Sequence, residues 1–111
     1  METVSSELLK EFKDRMHFSH SSEDDNLSRL LSFSITAIKG MIGDRVNVDD
    51  LTAVNQMARE LVIERTRYAY NEALEYFIEN FSRDISTAQL AYALEEIPED
   101  ELIEGDADAT I

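Results

Sequence analysis

Two histidines beside a run of carboxylates are the side chains best suited to binding a metal ion. His17 and His20 lie three residues apart, and the acidic run 23–25 follows them. Imidazole and carboxylate are common zinc ligands, but the i, i+4 step and the general-base glutamate of a zinc-protease helix are missing. Carboxylates are also favoured at the start of a helix by its dipole. We therefore predict a helix start here and no metal site.

The C-terminal segment carries a second set of potential ligands. Its carboxylates are Glu99, Asp100, Glu101, Glu104, Asp106 and Asp108. Neither their order nor the position of the glycine matches a calcium-binding EF-hand loop. So much charge around few apolar residues leaves too little surface to bury for folding alone. We predict a helical domain over residues 1–95 and an acidic, flexible tail over residues 96–111 that orders on a partner.

Nucleophilic catalysis requires a serine or cysteine with a general base held beside it. The sequence has no cysteine, no GxSxG turn and no glycine-rich loop that could hold a phosphate. It therefore predicts no catalytic residue, no cofactor-binding residue and no cofactor. We expect a protein that is not an enzyme.

The charge balance limits the possible partners. The chain has 24 acidic and 10 basic residues and a net charge of −14. Nucleic-acid phosphates would be repelled by this excess, so specific DNA or RNA binding is disfavoured. The excess is concentrated at one end, because residues 84–111 contain nine acidic and no basic side chains.

The arginines and aromatic residues of the second half of the chain are predicted to be structural. Without a basic groove, the aromatic side chains between residues 68 and 92 are expected to pack in a core or an interface. On so acidic a protein, the arginines are expected to form ion pairs with Glu60, Glu64 or a neighbouring subunit. These arginines are Arg59, Arg65, Arg67 and Arg83.

Targeting signals give a simple expectation. No apolar run approaches the ~20 residues that span a bilayer, and the N-terminal segment lacks the basic start and apolar stretch of a signal peptide. The lack of cysteine fits a reducing compartment. We expect a cytosolic protein with no membrane partner.

The elements that position these residues are predicted to be helices throughout. The chain has one proline and three glycines and no sustained alternation of apolar and polar residues. Apolar residues at helical spacing predict helices at about 6–16, 23–41 and 48–80, and a short fourth helix ending before Pro98. The predicted N-terminal caps are Ser5 or Ser6, a Ser22–Asp25 capping box, Asn47, and a Ser86–Gln89 capping box.

The third of these helices dominates the predicted fold, an all-α, four-helix domain with one long helix. The apolar pattern of this helix extends over some 30 residues, or roughly 45 Å at 1.5 Å per residue, and the short helices could not cover its apolar flanks. The sequence therefore predicts that copies of the chain pack along it. The residues predicted to pack between subunits are Leu61, Arg65, Tyr68, Tyr76 and Phe77.

Two stretches of the sequence, EDDNLSRLLSFSITAI and RELVIERTRYAYNEALEYF, resemble the phage head–tail connector (adaptor) family. The resemblance spans roughly residues 5–95. It implies a four-helix subunit of a homo-oligomeric ring that docks beneath the portal protein of a phage or prophage and also meets a tail-side stopper protein. DNA would pass through the ring without specific binding, since a lumen lined with carboxylates repels phosphate.

The resemblance also implies a location and a docking segment. The protein would be made in the bacterial cytoplasm and incorporated into the virion at the head–tail interface. By position, the C-terminal anchors on the portal would be Leu94, Ile97, Leu102 and Ile103. The tail is more acidic than the family pattern, so the surface that receives it would be basic. An alternative is an acidic regulatory protein, or a nucleic-acid mimic, that binds a basic protein partner.

Overall fold

Residues 2–96 are described by a computed structural model of the protein, with Glu96 described in its backbone alone. These residues form four α-helices and no strand, which confirms the all-α prediction. The helices are α1 (Ser6–Met16), α2 (Asp24–Ile42), α3 (Ala53–Tyr70) and α4 (Phe77–Glu96), and a 3₁₀ turn, Leu74–Tyr76, precedes α4. The first two helices lie within one residue of their predicted bounds.

The core lies between α2, α3 and α4. Helix α3 packs against both α2 and α4, those two also contact each other, and α1 packs on α2. Each helix contributes apolar side chains from one face, as Leu8 and Phe12 do from successive turns of α1. The largest fully buried apolar side chains are Leu8, Phe12, Leu27, Leu31, Ile38, Val62, Ile63 and Phe77.

The predicted long helix over 48–80 is wrong, because the chain reverses after Tyr70. The N–H of Ala73 donates to Tyr68 O at 2.9 Å, and the N–H of Glu72 donates to Ala69 O at 3.1 Å. These two bonds form a Schellman motif, in which the residue after the cap adopts a left-handed conformation. Glu72 does so with φ 57°. This position is usually glycine, and a glutamate there left the helix end invisible in the sequence.

The reversal brings α4 back along α3 in the antiparallel direction. The ring of Tyr68 contacts those of Phe77 and Phe81 edge to face, with centroids 6.0 and 5.6 Å apart. Phe77 and Phe81 stack on each other at 5.1 Å. The apolar flank of α3 that was expected to need neighbouring subunits is therefore covered largely by the same chain.

The predicted N-terminal cap of α1 is confirmed, and the two predicted capping boxes are wrong. Ser5 caps α1, since its Oγ accepts from the N–H of Leu8 at 3.1 Å. The Ser22–Asp25 box is wrong, because Ser22 Oγ bonds to His20 Nδ1 at 2.8 Å and α2 begins without a side-chain cap. The Ser86–Gln89 box is also wrong, because both residues lie inside α4.

The loop between α2 and α3 explains why α3 begins later than predicted. Val46 and Val48 are both buried in the core, and residues two positions apart do not share one face of a helix. Asn47 Oδ1 accepts from the N–H of Asp49 at 3.0 Å, and the N–H of Asn47 donates to Asn55 Oδ1 at 2.9 Å. Asn47 therefore stabilises a turn in this loop and does not cap α3.

Gly43 allows α4 to close onto the end of α2. A Cβ at Gly43 would overlap the ring of Tyr92, whereas a Cβ at Gly40 would meet nothing within 4 Å. The hydroxyl of Tyr92 accepts from the N–H of Arg45 at 3.2 Å. A residue without a side chain is thus required where the Tyr92 ring contacts the backbone.

Substituting the two glycines separately tests this contact. Gly43→Ala should lower the free energy of unfolding by about 1–3 kcal/mol, because the Tyr92 ring must move from its packed position. Gly40→Ala, in an open position near the end of α2, should raise it by up to about 1 kcal/mol. Urea unfolding followed by far-UV circular dichroism measures both. Equal midpoints for the two variants would contradict the packing of Tyr92 on Gly43.

Glycine at position 72 tests the chain reversal. Glu72→Gly should raise the free energy of unfolding by about 1 kcal/mol, because glycine adopts the left-handed conformation without the steric cost of a Cβ. Glu72→Ala removes the same charge and keeps the Cβ, so it serves as the control. The same urea titration applies, and a Glu72→Ala variant as stable as Glu72→Gly would count against a left-handed residue here.

Candidate protein interface

A stripe with two exposed leucines runs along the outer surface of α4. Thr87, Leu90, Ala91 and Leu94 follow i, i+3, i+4, i+7 spacing, which places them on one face of the helix. Leu90 is 62% exposed and Leu94 is 47% exposed. Anchors with this spacing are typical of helices that dock on another protein. We call these four residues the α4 stripe.

A groove between α3 and α4 adjoins the stripe at Thr87. It has a volume of about 360 Å³. Met57, Leu61 and Phe81 supply its apolar lining, and three carboxylates also line it. Two of these, Glu60 and Glu64, come from α3, and the third, Asp84, comes from α4. The groove therefore has acidic side chains on both of its walls.

The three carboxylates differ in their partners. Arg15 pairs with Glu60 and its hydrogen bond lowers the pKa of that carboxyl, an effect that partial burial opposes. Glu64 pairs with Arg67 at 2.6 Å within α3. The side chain of Asp84 is exposed, and it has no ion pair or hydrogen bond with another residue of the described part of the chain. Asp84 is thus the uncompensated charge of the groove.

Some of the residues predicted to pack between subunits are core residues. Leu61 is 3% exposed and Phe77 is 1% exposed, so both are covered by their own chain. Tyr68 is half-buried against the aromatic rings of α4 and accepts a hydrogen bond from Asn80 Nδ2 at 2.9 Å. Tyr76 is 54% exposed. Of these four, Tyr76 offers the largest fraction of its surface to a partner.

Of the four predicted portal anchors, one lies within the residues that the structure describes. Leu94 belongs to the α4 stripe and is exposed. Ile97, Leu102 and Ile103 lie outside the residues that the structure describes, as do the carboxylates of the predicted calcium-like run and most of the predicted tail.

Arg65, the remaining predicted packing residue, ends a buried chain of hydrogen bonds between α2 and α3. Its Nη1 donates to Ser34 Oγ at 3.1 Å, and the hydroxyls of Ser34 and Thr66 share a bond of 2.9 Å. Thr66 Oγ1 donates to Val62 O at 2.7 Å. Burial lowers the pKa of Arg65. Nothing in the sequence predicted these hydrogen bonds, since serine and threonine on a helix are usually solvent-facing.

Two other arginines form ion pairs, as predicted, but not always with the expected carboxylates. Arg67 pairs with Glu64 as expected. Arg59 Nε donates to Glu11 Oε1 at 2.7 Å, and its Nη1 donates to Val48 O at 2.7 Å. Arg59 thereby connects α1, the α2–α3 loop and α3. Arg83, on the outside of α4, has no ion-pair partner within residues 2–95.

The histidines near α2 make local contacts. His17 ends α1 in a left-handed conformation with φ 63°. Tyr70 donates to Glu23 Oε2 at 2.8 Å and so ties the end of α3 to the start of α2.

Within the described residues, no three histidine or carboxylate side chains are placed to hold a metal ion. In the same part of the chain, no helix has both the length and the apolar character to cross a membrane.

Comparison with known proteins adds no relative. No protein-family model, no curated protein and no solved structure matches this chain.

Replacing Ser34 tests how much the hydrogen bonds among Arg65, Ser34 and Thr66 contribute to stability. Ser34→Ala should lower the free energy of unfolding by about 1–3 kcal/mol, because the buried Thr66 and the half-buried Arg65 lose a hydrogen-bond partner. Thr36→Ala, at an exposed position of α2, should change it by less than about 0.5 kcal/mol. Adding Arg65→Met to Ser34→Ala should recover part of the loss, since the unpartnered charge is gone. Urea unfolding of wild type, Ser34→Ala, Arg65→Met and the double variant gives the coupling, and Thr36→Ala is the control; strictly additive effects of the two substitutions would contradict the coupling.

Proposed function

We propose that this protein is a structural subunit of a phage or prophage head–tail connector ring. It associates with copies of itself, docks on the portal protein and meets a tail-side stopper, at the head–tail interface of the virion. It performs no catalysis. The observation that carries the proposal is the α4 stripe, whose exposed Leu90 and Leu94 come shortly before the acidic C-terminal segment in the sequence.

The α4 stripe has the form of a helix–helix interface. Leu90 and Leu94 leave about half or more of their surface in water, although the same helix buries Ile85 and Ala88 on its other side. Leu90 and Leu94 lie one helical turn apart, so they form a short apolar seam on one face of α4. Burial of this seam against another protein recovers the hydrophobic energy that the isolated chain forgoes.

The distribution of charge suits a channel through which DNA slides. Most of the basic side chains pair with carboxylates of the same chain, which offsets their attraction for phosphate. Those in such pairs are Lys10, Lys13, Arg15, Lys39, Arg59 and Arg67. With a net charge of −14, a ring of such subunits would repel the duplex from its walls.

The acidic groove favours a second candidate, an acidic protein that occupies the basic site of a DNA-binding partner. Asp84 and the two carboxylates on the facing wall present negative charge around an apolar lining. Competition between this protein and DNA for one basic partner would favour the second candidate over the connector ring.

Mass measurement tests the connector proposal. Full-length protein is measured alone, and mixed with the portal protein of the same phage or prophage, by light scattering coupled to size exclusion. We expect a ring, or a complex with portal, that forms from the intact chain. Leu90→Glu combined with Leu94→Glu should weaken that association about tenfold or more, since charge on the anchors prevents their burial.

The controls separate interface from fold. Ile78→Glu changes a residue that is 51% exposed and lies outside the α4 stripe, and it should leave the association intact. Deletion of residues 96–111 should leave the helical circular dichroism unchanged and weaken portal docking. A chain that remains monomeric and does not bind portal would contradict the proposal.

A further inference from the structure

The groove between α3 and α4 differs from the α4 stripe in its chemistry. The stripe is apolar and faces outward, whereas the groove combines an apolar lining with carboxylates on both walls. We propose that this groove binds an amphipathic helix of a partner protein, one that presents an apolar anchor and, one turn away, a lysine or arginine. The inference goes beyond the connector proposal and does not depend on it.

The lining selects the anchor. Met57 is 36% exposed and Phe81 is half-buried, so both present surface at the groove, and Leu61 closes it from below with 3% of its surface exposed. A flexible thioether beside an aromatic ring accommodates aliphatic side chains of several shapes. Two antiparallel helices also leave between them a channel into which a third helix fits.

The walls select the charge of the occupant. Glu60 and Glu64 already pair with Arg15 and Arg67, but Asp84 has no such partner in the described part of the chain. A cation of the incoming helix that reaches Asp84 would complete the ion pairing of the groove. Because the cation meets a carboxylate at the edge of an apolar surface, it would set both orientation and specificity.

The same charge argues against the two occupants that this chain could itself supply. Residues 97–111 contain six acidic and no basic side chains, so the chain's own C-terminal segment would be repelled by the groove. A second copy also carries a net charge of −14, and its cations are mostly held in ion pairs of its own. A basic helix of another protein is therefore the complementary occupant.

Binding of designed peptides to the full-length protein tests the proposal. The probe is a labelled helical peptide of about 14 residues, with leucines along one face and arginines one turn away, and its twin carries glutamates in place of the arginines. Fluorescence anisotropy should give a Kd of about 50 µM or tighter for the basic peptide and binding about tenfold weaker or more for the acidic twin. Equal affinity for the two peptides would overturn the proposal.

Charge reversal within the groove gives the decisive comparison. Asp84→Arg should weaken the basic peptide about tenfold and strengthen the acidic twin. Glu79→Arg makes the same change of charge at an exposed site of α4 outside the groove and should alter neither affinity by more than about twofold. Equal effects of the two variants would show that only net charge matters, and would overturn the assignment to the groove.

A third variant tests the apolar lining without changing charge. Met57→Ala should weaken the basic peptide about fivefold while leaving circular dichroism unchanged, because Met57 is not a core residue. Self-association that disappears in Asp84→Arg would instead identify a second copy as the occupant and overturn the proposal. Portal binding by the wild-type protein is measured separately and tests the α4 stripe. Neither of these two results bears on it.

Discussion

The architecture depends on the reversal of the chain after Tyr70. Two backbone hydrogen bonds close the end of α3 and hold Glu72 in a left-handed conformation, which turns the chain by enough to bring Phe77 beneath Tyr68. Once Phe77 and Phe81 are seated there, α4 must run back along α3. The groove exists because these two helices are antiparallel neighbours, and the α4 stripe faces outward because the opposite side of α4 is in the core.

Polar contacts then fix how the other helices sit on α3. The hydrogen-bonded chain from Arg65 through Ser34 to Thr66 joins α2 to α3 at a single register, since a shift of one residue would leave its buried groups unpaired. Arg59 performs the corresponding role for α1 and the loop before α3. Both contacts hold an arginine against other residues of the same chain, which is one reason the outer surface remains acidic.

Two adjacent surfaces with different chemistry follow from this packing. The α4 stripe offers apolar anchors with helical spacing, and the groove beside it adds carboxylates around a smaller apolar lining. Apolar burial supplies most of the association energy at such surfaces, whereas charge determines which partner is accepted. A chain with both could hold one partner along α4 while it recognises a basic helix in the groove.

The sequence by itself determined what is local: the all-α class, the first two helices and the Ser5 cap all follow from apolar spacing and near-neighbour chemistry. Tertiary structure decided the rest. The end of α3 was hidden because Glu72 occupies a position usually held by glycine, and the role of Asn47 is set by the packing of the α2–α3 loop. The apolar flank that includes Leu61 was visible in the sequence. The sequence did not show whether α4 or another subunit covers that flank, because helical spacing shows that a face will be buried but not what buries it.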